Sequence, residues 1–324
     1  MTPTRFAAQI DLPLLGGSKQ ERHLIRIPFF PHPAWPFMSG SPPFLDHCGP
    51  LLADYDLLLC DVWGVIHNGV ESFQPACEAL QRARDNGKTV LLISNSPRPA
   101  AGVVPQLDGL HVPRESYDGM VTSGDVTHAV IMARPGQSVF HLGPRRDLPI
   151  FEGLDLKLLD AERADYVVCS GLFDDTRETP EDYRAMLEGM QARGLFMLCA
   201  NPDVVVERGK ELVYCAGALA DLYQSLGGDV LYAGKPYAPI YERTLAYAQT
   251  LRGGKVPLHR VLAIGDSVRT DLTGAAALGV DFLFLTAGIH AGEIGREAKS
   301  NPQMLKLFFE ENRMPKAVMH RLVW

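Results

Sequence analysis

Short apolar runs alternate with helical stretches along most of the chain. An apolar run at residues 56–60 precedes a helical stretch that begins at Pro75 and stops before Gly87, and a second run occupies residues 90–93. Short uninterrupted apolar runs are typical of strands buried in a parallel sheet. Proline in the first turn and glycine after the last turn are typical helix boundaries. This order predicts an α/β protein with a doubly wound parallel sheet.

The same alternation returns in the second half of the chain. Strands are predicted at residues 230–233, 260–264 and 281–285, with a helix at residues 237–251. Between the two halves, residues 138–142, 156–159, 166–169 and 196–200 also read as strands, and residues 180–193 as a helix. We therefore predict a core domain in two pieces, residues 46–134 and 213–324, with an inserted α/β cap domain at residues 135–212.

The first 45 residues follow neither a helical nor a strand period. A proline-rich segment at residues 27–37 and the absence of a signal-peptide pattern indicate a poorly ordered extension. One hypothesis is that the biological start is Met38. Mass spectrometry of the native N-terminus tests it, since a peptide from upstream of Met38 would end the idea.

Length and composition limit the classes of protein. A chain of 324 residues is too long for one ordinary core, which agrees with two domains. A net charge of −7 without a long basic run argues against nucleic acid as a partner, and no apolar run reaches the length of a membrane span. The six scattered cysteines read as reduced, buried thiols, so we expect a cytoplasmic protein.

Polar side chains follow several of the predicted core strands. Taken one at a time, Asp61, Ser94 and Asn95 could each simply be a turn residue at the end of a strand. Since parallel strands present their carboxyl ends at one edge, however, we expect these groups to converge. Converging carboxylates require a cation, and oxygen ligands of this kind favour Mg²⁺ together with a substrate phosphate. The converging set is Asp61, Ser94, Lys235, Asp266 and Asp271.

These motifs resemble those of the haloacid dehalogenase (HAD) superfamily, subclass IIA, which includes NagD-like and 4-nitrophenylphosphatase-like enzymes. The resemblance covers about residues 54–288 and rests on Asp61-Val-Trp-Gly-Val, on the strand to Ser94-Asn95, on Lys235-Pro236, and on Gly265-Asp266-Ser267 with Thr270-Asp271. The stretch at residues 200–203 and the place of the insertion resemble the subclass in particular. The resemblance implies a Rossmann-like core and a hydrolase, most simply a phosphomonoester phosphatase.

The resemblance also implies roles for individual residues. Asp61 would attack phosphorus and form an aspartyl-phosphate, while Ser94 and Lys235 hold the phosphoryl group. The implied Mg²⁺ ligands are Asp61, the backbone carbonyl of Trp63, Asp266 and Asp271. The implied substrate-binding residues are Gly64, Asn95, Asn201 and Asp203. A small phosphorylated metabolite is the expected ligand, and a homodimer formed through the cap is the implied assembly.

Trp63 departs from the family pattern. Phosphatases of the family carry an aspartate there as general acid/base, whereas an indole transfers no proton at neutral pH. His67 or Asp203 could supply the proton, although His67 also fits a loop histidine that bonds to backbone. Three interpretations stay open: a specialised phosphatase, a carbon–halogen hydrolase, and a phosphate-ester-binding protein with little turnover.

Overall fold

A computed structural model of the chain describes residues 41–208, 211–309 and 314–324. The Met38 hypothesis and residues 1–40 of the predicted extension lie outside the described residues. Residues 41–45 were also assigned to the extension, and here the prediction is wrong. The carbonyl of Pro43 accepts from the amide of Val318 at 2.9 Å, and the amide of Leu45 donates to the Val318 carbonyl at 2.7 Å. These backbone bonds attach the segment to the edge of the main sheet.

The described ranges contain thirteen strands and nine α-helices. The strands are β1 (Leu57–Cys60), β2 (Thr89–Ser94), β3 (Gly119–Thr122), β4 (Ser138–Leu142), β5 (Lys157–Leu158), β6 (Tyr166–Cys169), β7 (Phe196–Cys199), β8 (Val205–Arg208), β9 (Glu211–Tyr214), β10 (Asp229–Tyr232), β11 (Val261–Gly265), β12 (Asp281–Leu285) and β13 (Ala317–Met319). The helices are α1 (Gly49–Leu52), α2 (Gln74–Asp85), α3 (Ala100–Gly109), α4 (Ser123–Met132), α5 (Arg184–Ala192), α6 (Ala216–Ser225), α7 (Ala238–Arg252), α8 (Thr273–Leu278) and α9 (Pro302–Phe308).

The main sheet has six parallel strands in the order β13-β12-β11-β1-β2-β3. Strands β1 and β11 are buried at every position, because apolar clusters cover both faces of the sheet. This explains why their sequences are uninterrupted apolar runs. The predicted fold class, an α/β protein with a doubly wound, Rossmann-like parallel-sheet core and an inserted α/β cap, is confirmed.

A second parallel sheet has the order β10-β7-β6-β4-β5. Strand β10 belongs to this sheet, and α6 packs on it, although both follow residue 212 and were read as part of the core pattern. The predicted strand at residues 230–233 is present, but its assignment to the core sheet is wrong. A short apolar run indicates a strand and does not indicate which strand it pairs with. The domain boundaries themselves stay a prediction. The sheet partition favours an inserted segment that extends to about residue 234.

Among the elements that the sequence pattern missed are a hairpin and a short strand that bear on the site. Strands β8 and β9 form an antiparallel hairpin that belongs to neither large sheet. Strand β13 has three residues and is the last strand at one edge of the main sheet, beside β12. Both elements bring residues to the site described next.

Candidate active site

The site lies at the carboxyl edge of the main sheet, where β1 has β11 and β2 as neighbours. Asp61 directly follows β1, Asp266 directly follows β11, and Ser94 is the last residue of β2. The Asp61 amide donates to the Ile264 carbonyl at 2.8 Å, which continues the ladder to the strand end. Adjacent parallel strands thus bring these side chains together, as the pattern predicted.

Three buried carboxylates and one ammonium group form the centre of the site. Carboxylate oxygens of Asp61, Asp266 and Asp271 all lie within 4.8 Å of one another. The Lys235 ammonium bonds to Asp61 and, at 2.6 Å, to Asp271. All four side chains are buried. With all three carboxyl groups ionised, the negative charges of this cluster would exceed its positive charge by two.

The electrostatics of these groups follow from this crowding. Burial, followed by the charge of Asp271, raises the pKa of Asp61 well above its usual range. The same two causes, in the same order, raise the pKa of Asp266 to about 7. Burial alone would lower the pKa of Lys235, but the charges of Asp271 and Asp61 outweigh it and raise that pKa well above its usual range.

The donor set fits a hard divalent cation. Several carboxylate oxygens within one small volume, with a net negative charge, form the oxygen-rich surroundings that suit Mg²⁺. The backbone supports the geometry, since the Ile289 amide donates to Asp266 at 2.8 Å and the Ser267 amide to Asp271 at 3.2 Å. The residues present therefore fit the predicted ion, while the assignment of individual ligands, including the Trp63 carbonyl, stays a prediction.

Asn95 connects the strand-end residues to one another. Its carbonyl oxygen accepts from the Lys235 amide at 2.7 Å, and its amide group donates to the Lys235 carbonyl at 3.2 Å. The same amide group donates to the Asp203 carboxylate at 2.9 Å. Asn95 therefore holds both the lysine and a carboxylate of the inserted segment beside Ser94.

Gly64 is required by close packing. Its φ of 82° lies in the left-handed region, and a Cβ at this position would collide with the Asp266 carboxylate. The loop after β1 can therefore approach Asp266 only with glycine here. Gly64 and Asn95 line the cavity that contains Asp61, which has a volume of about 360 Å³.

Trp63 uses its side chain to bind the β8–β9 hairpin. Its indole N–H donates to the backbone carbonyl of Glu207 at 2.6 Å, and its ring contacts the His67 ring edge to face at 4.9 Å between centroids. Trp63, the residue that departs from the resembled pattern, thus connects the loop after β1 to the inserted segment.

The two predicted proton sources lie in different surroundings. His67 is buried, its Nδ1 accepts from the Gly69 amide at 2.9 Å, and burial lowers its pKa to about 4. It does not line the cavity of Asp61, whereas Asp203 does. Burial is the main cause that raises the pKa of Asp203. The structure thus places Asp203, and not His67, in the cavity of the nucleophile.

The predicted substrate-binding residue Asn201 also lies outside this cavity. Its side-chain oxygen accepts from the Asp203 amide at 3.1 Å, so it shapes the loop that carries Asp203. It lines a neighbouring cavity instead.

Other residues of the cavity were missed. Glu207 lies on the unpredicted hairpin, and Arg321 follows the unpredicted strand β13 and stacks its guanidinium on the Phe73 ring at 4.4 Å. Ile289 lies four residues after the end of β12, and the predicted strand at residues 281–285 was a usable signal for this loop. No comparable signal marks Arg321, since three apolar residues are too few to identify a strand.

Comparisons with known proteins agree with this geometry. A family model described as haloacid dehalogenase-like hydrolase matches residues 58–157, and a HAD-hydrolase-like model matches residues 232–306. A crystal structure of a haloacid dehalogenase-like hydrolase from Brucella suis 1330 is 46% identical, covers 86% of this chain and all of that chain, and gives a TM-score of 0.77. The chain belongs to the haloacid dehalogenase-like hydrolase family.

Two further relatives extend the comparison within this HAD-like family. A 5'-nucleotidase, YutF of Bacillus subtilis (strain 168), is 25% identical over 237 residues, which is 72% of this chain and 88% of that protein. A magnesium complex of glycerol phosphate phosphatase from Mycobacterium tuberculosis is 24% identical, covers 83% of this chain and 76% of that one, and has a TM-score of 0.61, which shows the shared fold. The predicted membership of the HAD superfamily and the prediction of a hydrolase are confirmed, while the assignment to subclass IIA stays a prediction. Among the described residues, no helix combines the length and apolar character needed to cross a bilayer.

Proposed function

We propose that this HAD-like hydrolase is a Mg²⁺-dependent phosphomonoester phosphatase that acts through an aspartyl-phosphate on a small phosphorylated metabolite. One observation carries the proposal: the buried Asp61, Asp266 and Asp271 carboxylates surround one point, with Lys235 bonded to two of them. Oxygen ligands and a fixed ammonium beside a strand-end aspartate supply what phosphoryl transfer requires, which is positioning and charge stabilisation. The relatives named as phosphatase and nucleotidase support it.

The chain's own residues account for the steps of the reaction. An Asp61 oxygen attacks phosphorus, the P–O bond to the alcohol breaks, and the alcohol oxygen leaves with the electron pair. Ser94 and Lys235 hold the phosphoryl oxygens. A water molecule then attacks phosphorus, releases inorganic phosphate and regenerates the Asp61 carboxylate. The bound Mg²⁺ would be held by Asp61, the Trp63 carbonyl, Asp266 and Asp271, and would supply charge stabilisation of the phosphoryl oxygens.

Within this proposal, Asp203 protonates the departing alcohol. It lines the cavity of Asp61, Asn95 fixes its carboxylate, and its raised pKa keeps a proton available closer to neutral pH than an ordinary aspartate would. His67 is a less suitable donor because it faces away from that cavity and is neutral above a pH of about 4.

Esters whose leaving groups differ in their need for a proton test whether Asp203 or His67 is the proton donor. Asp203→Asn should lower kcat/KM for glycerol 3-phosphate by about 10²- to 10⁴-fold, and for p-nitrophenyl phosphate by a much smaller factor because nitrophenolate leaves without a proton. His67→Asn is the comparison variant. Equal losses for the two esters in Asp203→Asn would remove Asp203 from the proton-donor role.

Phosphate release from a panel of phosphomonoesters, with Mg²⁺ and with EDTA, tests the function itself. Mg²⁺-dependent release that Asp61→Asn abolishes supports the proposal. Halide release from a haloacid without added metal would instead establish the carbon–halogen alternative, for which Trp63 is the favouring feature. Binding of esters without turnover would indicate the binding protein. A homodimer formed through the inserted segment is part of the proposal, and sedimentation equilibrium tests it.

A further inference from the structure

A second cavity adjoins the site. It has a volume of about 140 Å³ and lies between the loop after β2 and the inserted segment. The two cavities share the lining residues Trp63, Ser94, Asp203 and Val206. A ligand whose phosphoryl group lies at Ser94 therefore has this second space directly beside it.

Arg98 is the unusual group in this second cavity. It lies four residues after Ser94 in a loop held by side-chain bonds, since Ser94 Oγ accepts from the Ser96 amide at 3.2 Å and Ser96 Oγ from the Arg98 amide at 3.3 Å. Its guanidinium bonds to the neutral Gln106 amide oxygen. Among the described residues, no carboxylate lies within ion-pair distance of it. Burial lowers its pKa by more than the nearby charge of Asp147 raises it, so the guanidinium is desolvated without full compensation.

The other charged groups of this cavity have partners of their own. Arg146 and Arg208 both bond to the Asp175 carboxylate, the latter at 2.8 Å. Asp147 accepts a hydrogen bond from the Ser170 side chain and Asp203 accepts from Asn95, and burial raises the pKa of both carboxyl groups. The charge of Asp147 acts on Arg98 through space only, so within the described ranges Arg98 is the one of the three guanidinium groups without a carboxylate within ion-pair distance. Burying an unpaired charge is costly unless a ligand completes it.

We propose that this cavity receives a second oxyanion of the substrate, so that the preferred substrates are phosphomonoesters whose alcohol carries a carboxylate or a second phosphate. The inference rests on the proposed phosphatase function. A guanidinium offers a planar pair of donors that matches such a group. Arg98 makes this contact, and the paired Arg146 and Arg208 add positive charge at the rim.

Two matched substrate pairs test the inference and identify the anion. One pair is 3-phosphoglycerate and glycerol 3-phosphate, which differ by a carboxylate; the other is fructose 1,6-bisphosphate and fructose 6-phosphate, which differ by a phosphate. For at least one pair, the doubly anionic ester should have a kcat/KM higher by about 10- to 100-fold, the usual effect of a charge-assisted hydrogen bond. Arg98→Met should bring this ratio close to one, while Arg98→Lys retains part of it.

Two other arginines serve as controls. Arg134 is half-buried against the Tyr166 and Phe196 rings and lines neither cavity, so Arg134→Met should keep the preference. Arg321 lies in the first cavity, and Arg321→Met should also keep it. If Arg98→Met fails to fold, as judged by circular dichroism, Arg146→Met replaces it, because the Arg146 side chain is about half exposed and its loss is better tolerated. This variant should also reduce the ratio of kcat/KM values, because it removes positive charge from the rim of the cavity.

The outcomes separate this inference from the proposed function. Phosphate release with equal kcat/KM within both pairs overturns the inference and leaves the phosphatase function standing. A preference that Arg321→Met removes and Arg98→Met does not also overturns it, because the second anion would then lie in the first cavity. No release from any ester overturns the proposed function and the inference with it.

Discussion

The bond between the Trp63 indole and the Glu207 carbonyl should hold the β8–β9 hairpin against the site. The change Trp63→Phe keeps an aromatic ring but removes the N–H donor, so the 2.6 Å bond is lost and the carbonyl is left without this partner. A hydrogen bond of this kind contributes a net of about 1 kcal/mol, which corresponds to an about five-fold change in an opening equilibrium. Local opening of the hairpin should increase by this factor.

Native-state amide hydrogen exchange measures this opening directly. Amides at residues 205–208 and 211–214 should exchange about five-fold faster in Trp63→Phe. Those of β6, in the second large sheet, should not change. Trp324→Phe is the matched control, since its indole lies beside Gly49 and outside both cavities. Unchanged exchange in the hairpin would refute the reasoning, and so would an equal increase in β6, which would indicate a general loss of stability.

Three further predictions concern stability in EDTA, measured by urea unfolding. Gly64→Ala should destabilise the protein by at least about 2 kcal/mol more than Gly87→Ala, because both have positive φ but only Gly64 has a carboxylate where the methyl group would lie; equal costs would contradict the packing argument. Lys235→Met should cost about 3–5 kcal/mol because three buried carboxylates lose their counter-charge, whereas Lys299→Met, which removes an exposed ion pair, should change the stability little; similar losses would show that the buried ammonium is not needed. Burial lowers the pKa of His141 to about 4, so the unfolded chain binds the extra proton between pH 4 and the usual histidine range, and stability should fall as pH falls through that window. His141→Asn should flatten this fall and the exposed His259→Asn should not, whereas identical pH profiles for all three proteins would be inconsistent with a buried neutral His141.

Much of the main sheet could be predicted from the sequence because its strands are buried on both faces. Strands β1 and β12 appear as uninterrupted apolar runs, and a parallel sheet brings their carboxyl ends to one edge. For the same reason Asp61, Ser94 and Asp266 could be grouped before their distances were known. An apolar run does not indicate which strand will lie beside it in the sheet. For this reason β10 was assigned to the wrong sheet.

The rest of the site depends on contacts between distant parts of the chain. Trp63 and Glu207 are 144 positions apart, and the bond joins a side chain to a backbone carbonyl, so the residue type at 207 carries no signal of it. The position of His67 was likewise beyond the sequence, because a loop histidine can face either of two cavities. The place of Arg98 shortly after a predicted strand can be read from the sequence, but its lack of a carboxylate within ion-pair distance, in the described part of the chain, is a property of the folded chain alone.

Only two residues separate the end of β10 in the second sheet from Lys235 beside Asp61. The chain passes from the second sheet to the main sheet at this point. Without a bond to the main sheet, Lys235 would be positioned by the second sheet alone. Asn95 holds it from the main sheet, through bonds to both the amide and the carbonyl of Lys235. The ladder of the second sheet continues through Ala233, whose amide donates to the Cys199 carbonyl at 3.0 Å, and ends there. The charge balance around Asp61 is thus set by a main-sheet residue, although the chain that carries the lysine arrives from the second sheet.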